Sequence, residues 1–185
     1  MSVLNVAIAQ LNACLRDFGT NTQKIVAAAQ QAAKQNADLL LTPELSLCGY
    51  PPEDLLLRPD FYEVAANELL RLADKLAVVA PNLTVVVGHP ERLEGKNYNA
   101  ASVLHGGKRL ATYYKQYLPN SQVFDEIRYF TPGNQACVFD IAGTQCGLLI
   151  CEDIWRPGVA EATAHAGAEL LLVLNASPFH QTKLS

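Results

Sequence analysis

The chain has 185 residues, half of them apolar and 17% charged, with a formal net charge of −4. That is enough apolar material for one sizeable core, and it carries no electrostatic bias toward nucleic acid or an anionic membrane surface. No apolar run nears the roughly 18 residues needed to cross a bilayer, the first residues carry no basic segment with a cleavage site, and the five cysteines and four histidines are scattered without C-x-x-C pairs, so no membrane span, targeting signal or metal site is expected and the thiols read as reduced in a cytoplasmic protein.

Residues 3–9 alternate in the manner of a strand, and the Ala/Gln-rich stretch 20–36, with Thr20 and Asn21 as capping candidates, is predicted helical. The aliphatic run 38–42 is a short strand that stops at Pro43-Glu44. After it, Cys48-Gly49-Tyr50-Pro51-Pro52-Glu53-Asp54 is turn-forming and irregular. A second helix is expected over 61–80, where Leu69, Leu70, Leu72, Ala73, Leu76 and Ala77 recur at helical spacing. Residues 83–87 form a β-branched strand, and 99–104 with 109–114 flank Gly106-Gly107 as a hairpin whose second strand delivers Lys115. The stretch 116–134, containing Pro119, Asn120, Pro132 and Gly133, is a long loop of the kind that often carries function. A second hairpin, 136–141 with 145–150, turns at Ala142-Gly143-Thr144 and ends on Cys151. Arg156-Pro157-Gly158 leads into a short helix over 159–166, and 169–174 is an aliphatic strand ending in Asn175-Ala176-Ser177-Pro178. This order describes one α/β domain with layered, mixed sheets.

Glu44, Lys115 and Cys151 each follow a predicted strand, and in layered α/β folds that edge is where ligands bind. Amide hydrolysis by a thiol needs a nucleophile, a group that takes its proton and returns it to the leaving amine, and a positive or N–H-donating site for the oxyanion. Cys151, Glu44 and Lys115, helped by the backbone N–H of Glu152, supply these roles. Taken singly, each has an ordinary explanation: Cys151 as a small buried apolar residue, Glu44 and Lys115 as solvated strand-end charges. A Cys–His pair using His180 is the competing arrangement.

The run Thr42-Pro43-Glu44-Leu45, the separate Lys115 and Cys151-Glu152 resemble the glutamate–lysine–cysteine signature of the nitrilase, or carbon-nitrogen hydrolase, superfamily. Longer segments narrow the match. Gly49-Tyr50-Pro51-Pro52-Glu53-Asp54-Leu55-Leu56-Leu57-Arg58, Leu118-Pro119-Asn120, Val123-Phe124-Asp125-Glu126-Ile127-Arg128-Tyr129-Phe130 and Cys151-Glu152-Asp153-Ile154-Trp155 are similar to the N-terminal glutaminase domains of the glutamine-dependent NAD synthetase family.

The resemblance implies a nitrilase-like four-layer αββα sandwich. Because the chain continues well past the catalytic cysteine in that superfamily and only 34 residues follow Cys151 here, it also implies that residues 1–185 are an incomplete glutaminase domain, truncated on its C-terminal side, with the synthetase domain absent. It implies that Cys151 attacks the side-chain amide of L-glutamine to give a glutamyl thioester, with Glu44 and Lys115 in the roles above. Glu126, read alone as a solvated loop charge, is implied to support the lysine and the substrate amide. Ser177 and Lys183 match positions that hold the amino acid part of glutamine, and Ser121 stands where relatives have a tyrosine, leaving a looser pocket. No cofactor is implied within this domain; ATP and Mg belong to the synthetase domain that takes the ammonia. A homo-oligomer is expected, with no nucleic-acid or membrane partner. The competing readings are a stand-alone amidase or carbamoylase of the superfamily and a catalytically silent interaction domain.

Overall fold

Two sheets lie face to face, and Lys115 and Asn99 continue two rows of the side chains between them. The computed structural model describes residues 3–120 and 124–177. The larger sheet has the order β1 (Val6–Ile8), β2 (Leu39–Leu41), β3 (Thr84–Leu93), β4 (Lys96–His105), β5 (Lys108–Tyr114); β1–β2–β3 are parallel and β3–β4–β5 antiparallel. The smaller sheet has the order β6 (Val138–Ile141), β7 (Thr144–Ile150), β8 (Leu170–Leu174), with β6–β7 antiparallel and β7–β8 parallel.

Helices α1 (Phe18–Lys34) and α2 (Pro59–Val79) cover the outer face of the larger sheet. Ile25 and Ala29 of α1, and Ala65 and Leu72 of α2, pack there against Leu40, Val85, Val87 and Leu104. The opposite face presents Leu39, Leu41, Val86, Ala101, Val103 and Tyr113 to Cys146, Leu148 and Ile150 of the smaller sheet. Helix α3 (Val159–His165) packs on β7, where Gly147 leaves room for the Thr163 methyl and Ala168. The layers are therefore helix, sheet, sheet, helix, an αββα sandwich with mixed sheets, as expected.

Three local features differ from the sequence reading. The first helix is capped by Asp17, whose Oδ1 accepts the Thr20 N–H at 3.0 Å, so it starts ahead of the Thr20 and Asn21 candidates. Strand β3 runs on to Leu93 and turns at Glu94-Gly95 into β4, a hairpin hidden by the charged residues Glu91, Arg92, Glu94 and Lys96 at its exposed end. Residues 151–155 form a 3₁₀ turn beginning at Cys151 itself, between the strand that ends there and the helix that starts at Val159, a turn the sequence reading does not include.

Two close approaches bring the chain to the site. A Cβ at Gly88 of β3 would lie 2.5 Å from the Pro43 carbonyl oxygen and 2.6 Å from the Leu45 nitrogen. Glycine there lets the 43–45 segment cross directly over the sheet, held by Leu47 N–H to Gly88 O at 3.0 Å and by Thr42 Oγ1 to Val86 O at 2.9 Å. Gly133 lies against the Tyr114 carbonyl, and its N–H donates to Lys115 O at 2.8 Å, pinning the far end of the 116–134 loop beside Lys115.

Candidate active site

Side chains alternate across a strand, so Ala111, Tyr113 and Lys115 form one row facing the space between the sheets, and Val103, Ala101 and Asn99 form its neighbour. Both rows change from apolar to polar at the same end. There Lys115 donates its backbone N–H to Asn99 O at 2.9 Å. Glu44, carried over Gly88, reaches the same spot and joins the smaller sheet through Glu44 N–H to Asn175 O at 3.3 Å.

Lys115 Nζ donates to Glu44 Oε1 at 2.7 Å and to both oxygens of Glu126 at 2.9 Å. All three residues are buried, with 1% exposure for Lys115, 2% for Glu44 and 6% for Glu126. Asn99 Nδ2 bridges the carboxylates, donating to Glu44 Oε1 at 2.8 Å and to Glu126 Oε2 at 3.4 Å, and Tyr50 Oη donates to Glu126 Oε1 at 3.2 Å. The Cys151 thiol lies near enough to Glu44 and Lys115 to feel both charges, on a backbone with φ of 47°. A non-glycine residue at such a φ is held there by its surroundings and aims its side chain off the strand line.

Of the residues singled out from the sequence, Glu44, Lys115, Glu126 and Cys151 thus converge. Ser177 lines an open cavity of about 920 Å³ together with Glu44, Tyr50, Phe124 and Asn175. The Glu152 carboxylate is engaged by Arg156 at 2.7 Å, so what Glu152 can offer the thiol is its main chain. Ser121, Lys183 and His180 lie outside the described residues. Sequence reasoning missed Asn99, Tyr50 and Asp153. For Asn99 a signal existed, because an amide at the end of the inward row Asn99–Ala101–Val103 has no solvent to face.

Burial alone would drive the Lys115 ammonium toward its neutral form, but Glu44 and Glu126 outweigh it and hold the pKa above the ordinary lysine value. Burial and then the Glu44 charge push the Glu126 carboxyl up, against Lys115. For Cys151, burial and Glu44 outweigh the opposing lysine, and the thiol is pushed up to about 12. It is therefore protonated at neutral pH, and attack by sulfur needs a base at the moment of reaction. Methylthiolation of Cys151 by methyl methanethiosulfonate, followed by peptide mass spectrometry, should accelerate about tenfold per pH unit from pH 7 to beyond pH 10. A plateau near pH 8 would show a thiolate already stabilised in the resting site.

A family profile described as carbon-nitrogen hydrolase matches residues 5–185. The glutamine-dependent NAD(+) synthetase of Acinetobacter baylyi is 41% identical over 184 residues, a match covering 99% of this chain and 33% of that protein. Among solved structures, the glutamine-dependent NAD+ synthetase of Acinetobacter baumannii superposes with a TM-score of 0.89 at 40% identity, covering 97% of this chain and 34% of that one. An amidase from Nesterenkonia sp. AN1, solved with acrylamide added at its active-site cysteine, superposes with a TM-score of 0.83 at 29% identity, covering 98% of this chain and 70% of that one. The chain thus spans about a third of the length of the synthetases it matches.

Proposed function

Since the chain belongs to the carbon-nitrogen hydrolase family, we propose that it hydrolyses the side-chain amide of L-glutamine and that the ammonia serves an ATP-dependent synthetase domain amidating nicotinate adenine dinucleotide. The observation that carries the chemistry is the buried meeting of Glu44, Lys115 and Cys151 from three separate strand ends, with 2.7 Å between Lys115 Nζ and Glu44 Oε1. The synthetase relatives, matched over 99% of this chain, support glutamine as the substrate.

In this reading Glu44 takes the Cys151 proton as sulfur attacks the amide carbon. The carbonyl oxygen becomes an oxyanion met by the Lys115 ammonium and the Glu152 backbone N–H. Glu44 returns its proton to the amide nitrogen, the C–N bond breaks and ammonia leaves a glutamyl thioester. Water, deprotonated by Glu44, then adds to the thioester, the C–S bond breaks, and glutamate departs as the thiol regains its proton. Glu126 holds the Lys115 ammonium and Asn99 holds the Glu44 carboxylate, fixing the pair in contact. Ser177 on the cavity wall, with Lys183, holds the amino acid end, and Ser121 borders the substrate pocket in place of an aromatic wall. The active assembly is a cytoplasmic homo-oligomer, and this domain uses no cofactor; ATP and Mg act in the synthetase domain.

The test is ammonia release from L-glutamine compared with propionamide and N-carbamoyl amino acids, with hydroxylamine added to trap the acyl enzyme. Glutamine should be preferred by at least about 100-fold in kcat/KM, the scale expected when a site is built to bond the groups that small amides lack, and hydroxylamine should divert product to glutamyl hydroxamate. Equal turnover of propionamide would place the chain with the stand-alone amidases.

A further inference from the structure

We infer that Asp153 is the positioning residue that sets Cys151 against Lys115, an inference that rests on the nucleophile and lysine roles just proposed. Cys151 leaves β7 of the smaller sheet and Lys115 leaves β5 of the larger one. No strand ladder joins the two sheets, and the apolar contacts between them are not directional. Asp153 supplies a directional link. Its Oδ2 accepts the Ile150 N–H at 3.0 Å, immediately before Cys151, and the Tyr113 Oη–H at 2.8 Å, two residues before Lys115. Its Oδ1 accepts the Gln116 N–H at 3.1 Å and the Tyr117 N–H at 2.8 Å, immediately after Lys115.

Four donors fill the acceptor capacity of one carboxylate, and Asp153 is fully buried. The clasp thus holds the chain just before the nucleophile and on both sides of the lysine. It also over-determines the turn in which Cys151 adopts its positive φ, a conformation that persists only where the surroundings enforce it. Asp153 is fully enclosed with all four acceptor positions taken, so its action runs through the two residues it holds.

Asp153→Asn keeps the volume but sets an amide N–H₂ against two of the four donors, which separates the acceptor role from packing. Steady-state ammonia release from glutamine should show kcat lowered by about 100-fold with KM changed less than about threefold, since misplacement on the order of 1 Å costs that much. Cys151 methylthiolation at pH 8 should stay within about threefold of wild type, because a small reagent needs the thiol and not the lysine. Tyr113→Phe, which removes one donor and keeps the three backbone N–H donors, should lower kcat by about three- to tenfold at unchanged KM and serves if the asparagine variant does not fold. Wild-type kcat in either folded variant, or methylthiolation accelerated to the rate of an exposed thiol, would overturn the inference. A wild-type enzyme with no amidase activity would overturn the proposed function itself and this inference with it.

Discussion

Replacing Cys151 by alanine should lower glutamine hydrolysis by on the order of 10⁴–10⁶-fold, the loss typical when a covalent nucleophile is removed, while leaving the protein folded. The fold should survive because the change deletes one sulfur and leaves the β7 pairing and the Asp153 clasp in place. Where an ATP-dependent synthetase domain is joined to this one, synthesis fed by free ammonia should continue and synthesis fed by glutamine should stop. The measurement is the ratio of the two rates in the variant. Glutamine-fed synthesis at the wild-type rate would remove Cys151 from the mechanism and return His180 and the other cysteines to consideration.

Lys115→Met should cost both activity and stability, and the stability loss should depend on pH in a particular direction. In the native protein the ammonium is fully enclosed and bonded to Glu44 and Glu126. Removing it strands two buried carboxylates without their cation, which costs about 3–5 kcal/mol. For a chain of this size that corresponds to a fall in Tm of roughly 6–20 °C.

The sign of the pH dependence follows from linkage. Burial and Glu44 already raise the Glu126 pKa, and losing Lys115 removes the main charge opposing them. A carboxyl whose pKa is higher folded than unfolded binds more protons in the native state, so stability is present below the unfolded value and is lost as pH rises through the folded one. The variant should therefore be most stable near pH 4–5 and weaken toward pH 8, relative to wild type. A difference in Tm that stays constant across that range would show that the two carboxylates relax apart when the lysine is gone. Activity should fall with the lost oxyanion contact by about 10²–10³-fold at any pH where the variant remains folded.

Much of this site was legible in the residues, because the signals involved are local. A strand that stops at Pro43-Glu44, one that stops at Lys115 and one that stops at Cys151 can each be read from a run of aliphatic or β-branched residues ended by a polar one. The two hairpins at Gly106-Gly107 and Ala142-Gly143 were readable for the same reason, since glycine and short polar turns punctuate alternating runs. The β3–β4 hairpin was not, because its strands leave the core and exchange apolar residues for charged ones while the backbone pairing continues to Leu93 and Lys96. Glu126 was visible only through family resemblance. In a long loop of low periodicity nothing local marks which charge turns inward.

By itself, then, the sequence determined the layered α/β class, the order of its elements and the three strand ends that carry polar chemistry, because side-chain periodicity and chain punctuation are properties of neighbouring residues. Tertiary structure alone decided which of those ends meet. The Lys115–Glu126 bond, the Asn99 bridge between two carboxylates, the passage of residues 43–45 over Gly88 and the four-donor clasp of Asp153 join residues 11 to 55 positions apart or belong to two different sheets. Such pairings depend on how the two sheets are packed and aligned, which is set by the whole interface between them. No window of the chain contains that information.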